Sequence, residues 1–379
     1  MDAGQVVTPP YVAGPLRLLP FRGLMLAPHR VGDPSTGRAF ARPYRGVAAR
    51  LLKWQSRGLV RKDEAPALYL HEYTSAGLTV RGLVGALDVS RRATRPEDRA
   101  VLPHEGIHPA QADDLADRMA EMGLNPAPIL LVHNGSEELR RLVGDVLATD
   151  PQHAFTDRSE QQHRIWAIRD RTTLDRVAEE LRDARALIAD GHHRYAAYLR
   201  LQRRDPGGPC DLGLAMLVDQ VATPLFLGPI HRSLAGTDLD DLRNAAESLG
   251  MACTTRSQAD AVAALGQDSL AATDGREWVV LDLAVPEGRA AVEVLHRQLV
   301  PALPHGPSSV GYHHTVDDAL ATADPRSAIA VLMPAPAVDL VQRIAEDDRL
   351  LPEKATSFQP KPSLGVLIRS LRDAPDAPS

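Results

Sequence analysis

The sequence predicts a mixed α/β fold, and three features of the chain support this. Short apolar runs alternate with amphipathic stretches along the 379 residues, as expected when strands and helices share a core. Hydrophobic residues make up 44% of the chain but aromatic residues only 4%, so Ala, Val and Leu must fill that core. The alternation is not a regular series of βαβ units, so a mixed sheet is expected.

The elements of the first part follow from these patterns in order. Apolar runs at residues 67–73 and 80–89 flank a Ser-Ala-Gly turn and predict a β-hairpin. Pro109 is typical of the first turn of a helix, and Ser136 is typical of a helix N-cap. The other predicted elements are strands at residues 129–132, 164–168, 186–189 and 212–218, and helices at residues 174–183 and 195–202.

A second part of the chain is predicted to begin near Gly236. We therefore expect an N-terminal α/β part over residues 16–235 and a C-terminal α/β part over residues 236–372. The termini, residues 1–15 and 373–379, are rich in Pro, Ala, Gly and Asp and are expected to be loose. The elements predicted for the C-terminal part are helices near residues 238–249, 258–265, 289–299 and 338–346, and strands at residues 278–283 and 328–333.

The charge balance of the chain argues against two broad classes of partner. The net charge is −6 and the isoelectric point about 6.2, whereas nucleic acids and anionic membrane surfaces bind clustered Lys and Arg. Cys210 and Cys253 are too few for a disulfide framework or a Cys-rich zinc site. The chain start lacks a signal-peptide pattern, and no apolar run approaches the roughly 20 residues of a membrane-spanning helix. We therefore expect a cytoplasmic protein that binds neither nucleic acid nor membrane, while its oligomeric state stays open.

The main candidate for a functional centre is Ala-Asp-Gly-His-His-Arg-Tyr at residues 189–195, which we call the box. It joins a predicted strand to a helix that is predicted to start at about Arg194. Gly191 allows a tight turn, and the amides and dipole of a helix start favour an anion. The histidines and the arginine add donors, and Asp190 is able to hold Mg²⁺ or the proton of a substrate hydroxyl. The alternative is a plain junction in which the Asp caps the helix and the histidines lie on the surface.

The box resembles the strand–loop–helix element of the ParB/sulfiredoxin superfamily. Members of that superfamily carry Gly-Glu-Arg-Arg or Gly-Cys-His-Arg at this place and bind nucleotide phosphates with it. The free-serine kinases of the superfamily also carry Asp-Gly-His-His-Arg, the sequence of residues 190–194 here. The resemblance implies a ParB/sulfiredoxin-like core followed by a C-terminal α/β segment. It also implies ATP or ADP, with Mg²⁺, as cofactors.

Eight short motifs, from Arg-Gly-Leu-Val-Gly to Lys-Ala-Thr-Ser-Phe-Gln-Pro-Lys, carry a second resemblance that extends over most of the chain. They are residues 81–85, 103–106, 128–130, 163–166, 189–195, 229–232, 312–314 and 354–361. In this order they are similar to an uncharacterised prokaryotic family, the domain of unknown function (DUF) family 1015. Two family motifs are altered: the usual Pro-Pro-Tyr-Asp lacks its Asp here, and the usual Lys-Ser-Thr-Tyr-Phe reads Lys-Ala-Thr-Ser-Phe.

His-Glu-Gly-Ile-His at residues 104–108 matches the H-E-x-x-H pattern of zinc proteases, which requires both histidines on one helical face. Proline on both sides and glycine inside the motif predict a loop instead, which argues against that chemistry. Free-serine kinases use a Glu from outside the box as general base, so the resemblance makes Glu105 a candidate for this role. The alternative is that His104 and Glu105 only form hydrogen bonds within the loop.

Three further segments carry cationic or histidine side chains. Residues 354–361 are able to close over an anion or to form an exposed C-terminal loop. Residues 231–232 follow a strand-like run. They either add positive charge to the same anion-binding pocket as residues 354–361, or they pair with acidic side chains on the surface. Tyr-His-His at residues 312–314 is a weak metal candidate, because adjacent strand residues point to opposite faces. The phosphate- or nucleotide-binding candidates in these segments are Lys354, Ser357, Lys361, His231 and Arg232.

Three common catalytic patterns are missing from the sequence. These are the P-loop, the Gly-x-Gly-x-x-Gly turn after a strand, and the Gly-x-Ser-x-Gly elbow. Their absence disfavours classical nucleoside triphosphatases, Rossmann dehydrogenases and α/β-hydrolases, and leaves the box as the main phosphate-binding candidate.

The resemblance to free-serine kinases implies a kinase-like transferase that moves a phosphoryl group from ATP or ADP to a serine-like, hydroxylated metabolite. Asp190 would hold the acceptor hydroxyl or Mg²⁺, and Glu105 would act as base, with His193 also counted as catalytic. Four residues of the box would cradle the phosphates, namely Gly191, His192, His193 and Arg194, and Lys354 and Lys361 would neutralise developing charge.

Two other functions stay open at this point. The first is a non-catalytic regulator that binds a nucleotide or a phosphometabolite. The second is a metal-dependent hydrolase with Asp190, His192 and His193 as ligands. Each function uses a small-molecule partner.

Overall fold

The protein is described by a computed structural model that covers residues 6–34 and 46–373. Two compact units divide the chain. Unit 1 consists of the described parts of Met1–Pro103, Ile107–Leu225 and Pro360–Ser379, and unit 2 of His104–Gly106 and Phe226–Gln359. These bounds differ from the division predicted at residue 236, because the chain enters unit 2 at Phe226 and returns to unit 1 at Pro360.

Strands and helices occur in both units, which confirms the predicted α/β class. The strands are β1 (Leu18–Leu19), β2 (Gly23–Leu26), β3 (Val60–Lys62), β4 (Leu68–Ser75), β5 (Leu78–Asp88), β6 (Val101–Leu102), β7 (Leu124–Asn125), β8 (Ile129–His133), β9 (His153–Thr156), β10 (Gln162–Ile168), β11 (Ala186–Asp190), β12 (Leu212–Asp219), β13 (Phe226–Gly228), β14 (His231–Ala235), β15 (Cys253–Arg256), β16 (Ser269–Thr273), β17 (Trp278–Asp282), β18 (Ser309–His313), β19 (Ala328–Leu332), β20 (Ser357–Gln359) and β21 (Ile368–Ser370). The helices are α1 (Val47–Ser56), α2 (Pro109–Met122), α3 (Glu137–Leu147), α4 (Arg171–Glu180), α5 (His192–Arg204), α6 (Leu239–Ser248), α7 (Gln258–Ala263), α8 (Ala291–Val294), α9 (Val316–Leu320) and α10 (Val338–Glu346).

Unit 1 is built on a mixed sheet of strand order β6-β11-β8-β12-β5-β4-β10-β9, with β1 paired to β5 beside this path. Strand β8 runs parallel to β12, whereas β11 is antiparallel to β8 and parallel to β6. The predicted hairpin is confirmed, since β4 and β5 pair antiparallel around Ala76 and Gly77, both with positive φ. A second, smaller sheet has the order β3-β2-β21-β7.

The core of unit 1 is mainly aliphatic, as the small aromatic content requires. Buried side chains of the main sheet and of helices α2 to α5 share one cluster. Alternate residues of β4, Leu68 and Leu70, point into it, because side chains of a strand alternate between its two faces. The helix starts at Pro109 and Ser136 are confirmed, and the Ser136 side chain accepts a hydrogen bond from the amide of Leu139.

Unit 2 has an antiparallel sheet of order β15-β17-β16-β19-β14-β18 and a two-stranded ribbon of β13 and β20. A small core lies between this sheet and helices α7 and α9 and contains Trp278 and Leu332. The predicted last helix has the bounds that the sequence suggests, Val338–Glu346. The helix predicted over residues 289–299 is α8 continued by a π-helical turn at Leu295–Leu299.

Two predictions about local structure are wrong. The helix after the box begins at His192 and not near Arg194, because Gly191 turns the chain two residues earlier. Residues 6–15 are not loose, since Val7 bridges Ile107 and the Val12 side chain is buried. Within the described ranges, the helices are all too short or too polar to cross a membrane.

Candidate functional site

The box forms a strand–glycine–helix junction in unit 1. Strand β11 ends at Asp190, with an irregularity in its pairing to β8 between Ile188 and Asp190. Gly191 then has φ 99° and ψ 31°, in the left-handed region, and α5 starts at the next residue. A Cβ at Gly191 would lie 3.0 Å from two nitrogens of Arg194 and from a methyl group of Ile129. Glycine is therefore required both by the backbone and by the space around it.

The Asp190 carboxylate lies between two cationic side chains. Arg194 forms an ion pair with Oδ2, and the Lys361 Nζ lies 2.6 Å from Oδ1. Arg194 also donates to the carbonyl of Pro128, so its guanidinium is held from two sides. With both cations charged, the three side chains carry a net charge of +1 at the N-terminus of α5, where the helix dipole also favours an anion.

The two histidines of the box have different environments. His192 is buried, with 8% of its surface exposed. The Nε2 atom of His193 accepts a hydrogen bond from the amide of His108 at 3.1 Å, and the two imidazole rings stack with centroids 6.0 Å apart. Because Nε2 accepts this bond, it carries no proton and cannot donate to a phosphate. His193 instead contacts the start of α2 through this nitrogen.

The backbone of Lys361 is clamped by Gln161, a buried residue that the sequence did not single out. Gln161 donates through Nε2 to the Lys361 carbonyl at 2.9 Å and accepts through Oε1 from the amide and hydroxyl of Ser363, both at 3.1 Å. Tyr73 donates to the carbonyl of Pro360 at 2.6 Å. The backbone is therefore held by hydrogen bonds on both sides of the Lys361 side chain.

A buried chain of polar side chains lies next to this clamp. His71 and His163 are joined by an Nε2–Nδ1 contact of 3.1 Å, and His163 Nε2 lies 3.1 Å from Asp157 Oδ2. Burial lowers the pKa of His71 well below its usual value, and the neighbouring His163 acts in the same direction. The sequence signal for His71 is weak, because it follows the apolar residues at the start of β4 but is itself followed by the charged Glu72.

Glu105 lies in unit 2, in the loop that the sequence predicts in place of a zinc-protease helix. Its Oε1 atom accepts hydrogen bonds from the amides of Ala355 at 3.0 Å and Thr356 at 3.2 Å, and from the Thr356 hydroxyl at 3.1 Å. The side chain is 16% exposed. Burial raises the pKa of the Glu105 carboxyl, while the hydrogen bonds from Thr356 and Ala355 and the charge of Lys354 oppose this rise.

The loop that holds Glu105 is the Lys-Ala-Thr-Ser segment. Lys354 has a positive φ of 54° and an exposed side chain, and the two following amides converge on the carboxylate. Such a run of amides is an anion-binding nest, and in this protein its anion is Glu105. Ser357 is buried, and its hydroxyl contacts His314 Nδ1 at 3.2 Å. The predicted anion contacts of Lys354 and Ser357 stay predictions.

Arg232 and His231 do not pair with surface acids, as one interpretation of the sequence held. Arg232 is completely buried in unit 2 and donates to the carbonyls of Glu353 and Lys354 at 3.3 and 2.9 Å. Its Nε also donates to His296 at 3.2 Å. His231 is buried as well and accepts through Nδ1 from the amide of Met333 at 3.1 Å. Both side chains form their hydrogen bonds inside unit 2, because strand β14 places them in its interior.

A metal cluster is not formed by the box. Across residues 6–34 and 46–373, no group of three or more His, Cys, Asp or Glu side chains is arranged to hold a metal ion. Tyr312, His313 and His314 lie at the end of β18, where His313 contacts the hydroxyl of Ser233 at 2.9 Å.

The fold and the site together define a mixed α/β protein in which a glycine turn between strand and helix concentrates positive charge. The chain belongs to the family described as "Protein of unknown function (DUF1015)", which matches residues 25–297. This range includes Glu105 and the box and ends before residues 354–361. No curated protein matches the sequence.

Several solved structures resemble the chain weakly. A free serine kinase in complex with AMP has a TM-score of 0.39 and 16% identity, over 70% of this chain and 88% of that one. SbnI from Staphylococcus aureus, with a C-terminal truncation, has a TM-score of 0.43 and 11% identity, over 72% and 86%. A conserved hypothetical protein from Pyrococcus furiosus has a TM-score of 0.38 and 15% identity, over 71% and 91%. These values are too low to transfer any property to this chain.

Proposed function

We propose that the protein is a small-molecule kinase that transfers a phosphoryl group from ATP or ADP to the hydroxyl of a serine-like metabolite. The observation that carries the proposal is the placement of Arg194 and Lys361 on Asp190 at the N-terminus of α5. Phosphoryl transfer needs positioned positive charge more than covalent chemistry, and two cations beside helix amides supply it.

In this proposal the cations exchange partners when a nucleotide binds. Arg194 and Lys361 would turn from the carboxylate to the phosphates, and Asp190 would then hold the acceptor hydroxyl or Mg²⁺. Asp190 fits Mg²⁺ as a single carboxylate ligand, since Mg²⁺ is commonly held by one or two carboxylates together with substrate phosphates. When bound, the ion would supply charge neutralisation of the phosphates.

Glu105 is the proposed general base. Within the described residues, the hydrogen bonds to its carboxylate all end on Oε1, so Oε2 remains to accept a proton. Burial raises the pKa of the Glu105 carboxyl, and a base whose pKa is moved towards neutral pH is a more effective proton acceptor. The carboxylate thus has one oxygen for positioning and one for chemistry.

The test is turnover with purified full-length protein. It is incubated with ATP or ADP, Mg²⁺ and a panel of hydroxylated compounds that includes L-serine, and the nucleotide product is quantified. Acceptor-dependent product release supports the kinase, and Asp190→Asn should reduce it by about 100-fold or more, the usual effect of removing a positioned catalytic group. Full turnover in the variant would exclude the proposed role of Asp190.

The same experiment separates the regulator from the enzyme. Tight binding of a nucleotide, with no release of product in the presence of any acceptor, would identify a binding protein without catalysis. Glu105→Gln then provides the matched control, because it retains the shape of the side chain and removes its basicity. A regulator should bind nucleotide equally well with either residue.

A further inference from the structure

A buried arginine and a short loop of unit 2 are joined in an arrangement that the proposed reaction does not use directly. Arg232 has no exposed surface, yet its described contacts include no ion pair with a carboxylate. Instead its guanidinium donates to the carbonyls of Ile230, Glu353 and Lys354. A buried cation is costly unless its donors are satisfied, so these carbonyls must stay where they are.

The two carbonyls of the loop belong to the residues just before the Glu105 nest. When the carbonyls of Glu353 and Lys354 are held, the peptide planes that follow are constrained as well, because each plane joins one carbonyl to the next amide. The plane of the Lys354 carbonyl contains the amide of Ala355, which donates to Oε1 of Glu105, and the amide of Thr356, which donates to the same oxygen, follows one residue later. The guanidinium therefore fixes the loop from one side, and the carboxylate is fixed on the other.

Thr356 contributes a second donor to the same oxygen. Its hydroxyl lies 3.1 Å from Oε1 of Glu105 and 2.7 Å from Nε2 of His104. His104 is itself fully buried, and Leu351 donates from its amide to the His104 carbonyl at 2.9 Å. The hydroxyl is thus held in place between two polar atoms, and one of them is the carboxylate oxygen.

We propose that Thr356 and Arg232 are positioning residues for the Glu105 carboxylate. Thr356 orients Oε1 directly, and Arg232 does so through the carbonyls of the loop, so that Oε2 is presented to the substrate. The inference rests on the proposed function only in assigning a purpose to this orientation. The hydrogen-bond arrangement can be tested whether or not the protein transfers a phosphoryl group.

The groups that face Glu105 determine how it titrates. The charged or titratable neighbours are Lys354 and Arg232, whose charges favour the carboxylate, His104 beside it, and Tyr312 on β18. Hydrogen bonds to the ionised form of a carboxyl stabilise that form. Loss of the Thr356 hydroxyl should therefore raise the titration midpoint of Glu105.

The experiment measures this midpoint directly by NMR. Full-length protein is labelled at the side-chain carboxyl carbon of glutamate, and the Glu105 signal is identified by its absence from Glu105→Gln. In Thr356→Val the midpoint should rise by roughly one pH unit, a typical size for the loss of one hydrogen bond to a carboxylate. Thr356→Ser restores the hydroxyl and should return the midpoint to within about 0.3 units of the original value.

Thr322→Val is the matched control. The Thr322 hydroxyl also donates a hydrogen bond in unit 2, to the carbonyl of Ala319 at 2.6 Å, and does not contact Glu105. It should leave the midpoint unchanged. An unchanged midpoint in a folded Thr356→Val protein would overturn the proposal, and Thr356→Ala replaces that variant if it does not fold.

Arg232→Lys tests the second part of the proposal. Lysine keeps a positive charge but lacks the planar donor set that reaches several carbonyls at once. The Glu105 midpoint should rise in this variant as well, and a value equal to that of the original protein would remove Arg232 from the network.

Turnover is recorded in parallel to separate the two hypotheses. A shifted midpoint without turnover of any acceptor by the original protein would contradict the kinase and leave the positioning network intact. Turnover by the original protein, together with an unshifted Glu105 midpoint in Thr356→Val, would support the kinase and contradict the positioning network. If both hold, the acid limb of kcat/KM should move to higher pH together with the midpoint.

Discussion

Lys361 and Asp190 form an ion pair of 2.6 Å in unit 1, although 171 residues separate them in the sequence. The pair is possible because the chain returns to unit 1 at Pro360, and Gln161 then clamps the backbone of Lys361. An exposed ion pair of this kind contributes little to stability, on the order of 1 kcal/mol or less. Its importance is therefore expected to lie in ligand binding.

Replacement of Lys361 by Met should weaken the binding of ADP by about 10-fold, because one cation near the phosphates is lost. Stability should change little, since the side chain is 43% exposed. Isothermal titration calorimetry of full-length protein with ADP and Mg²⁺ measures the affinity. The control is Lys53→Met, which removes the same charge from the exposed face of α1 and should have no effect. Equal affinities in the two variants would exclude Lys361 from the site.

Replacement of Gly191 by Ala should destabilise the protein and impair the site. A residue with a Cβ pays about 1–2 kcal/mol for left-handed backbone, and this Cβ would also press on Arg194 and Ile129. Gly207→Ala is the matched control, because Gly207 has φ 82° but no atom within 4 Å of its added Cβ. Denaturant unfolding of both variants separates the cost of the backbone from that of crowding. A loss for Gly191→Ala no larger than for the control would show that crowding is unimportant.

The box was predictable because its residues are consecutive in the chain. An apolar strand, a glycine and a cationic helix start require only local patterns, and the structure has them at residues 186–204. The predicted helix start was two residues late, because Gly191 caps α5 without a side-chain acceptor that would mark the position. Strand β15 is not predicted from the sequence, because three of its four residues are exposed and show no apolar alternation.

The partners of the site could not be predicted from the residues alone. Gln161 meets Lys361 across 200 positions, and Glu105 meets Thr356 across 251. Sequence patterns over short windows carry no information on such contacts. The burial of Arg232 was also hidden, because an arginine after a strand-like run is found far more often at the surface.

Acid should destabilise the protein below about pH 6.5, through histidines that are buried without charge. Burial lowers the pKa values of His231 and His296 to about 4, and it lowers the pKa of His71 well below its usual value. Each histidine takes up a proton more readily in the unfolded chain. Each therefore contributes stability that is present above its unfolded pKa and is lost as the pH falls towards its folded pKa.

The contribution of one histidine can be isolated with His231→Asn. Asn keeps an acceptor for the amide of Met333 and does not titrate, so the slope of unfolding free energy against pH should flatten. The expected change is up to about 1.4 kcal/mol per pH unit between pH 6.5 and 4. Denaturant unfolding at several pH values measures it. A slope identical to that of the original protein would mean that the pKa of His231 is the same in the folded and the unfolded chain, which would contradict the prediction.

Glu105 should act in the opposite direction on stability. Burial raises the pKa of its carboxyl above the unfolded value, so the folded protein binds this proton more tightly and loses stability as the pH rises through that interval. Glu105→Gln removes the effect, and the variant should gain stability relative to the original protein as the pH is raised from about 4 to 7. Unfolding by urea across this range provides the test, and a variant that lost relative stability on raising the pH would show a lowered pKa instead.

Gln161 should act on ligand binding through Lys361, and a double-mutant cycle can show this coupling. Gln161→Met removes three hydrogen bonds to the segment of residues 361–363 and should cost about 1–3 kcal/mol of stability, because these bonds are partly buried and their partners at residues 361 and 363 lose them. If Gln161 only supports the fold, its effect on ADP affinity will add to that of Lys361→Met. If Gln161 instead positions the ammonium group of Lys361, the double variant will bind ADP no more weakly than Lys361→Met alone. In that case the only effect of Gln161→Met on affinity is to misplace the ammonium group, and Lys361→Met has already removed this group. Strict additivity in calorimetric affinities would therefore exclude the clamp as a positioning device.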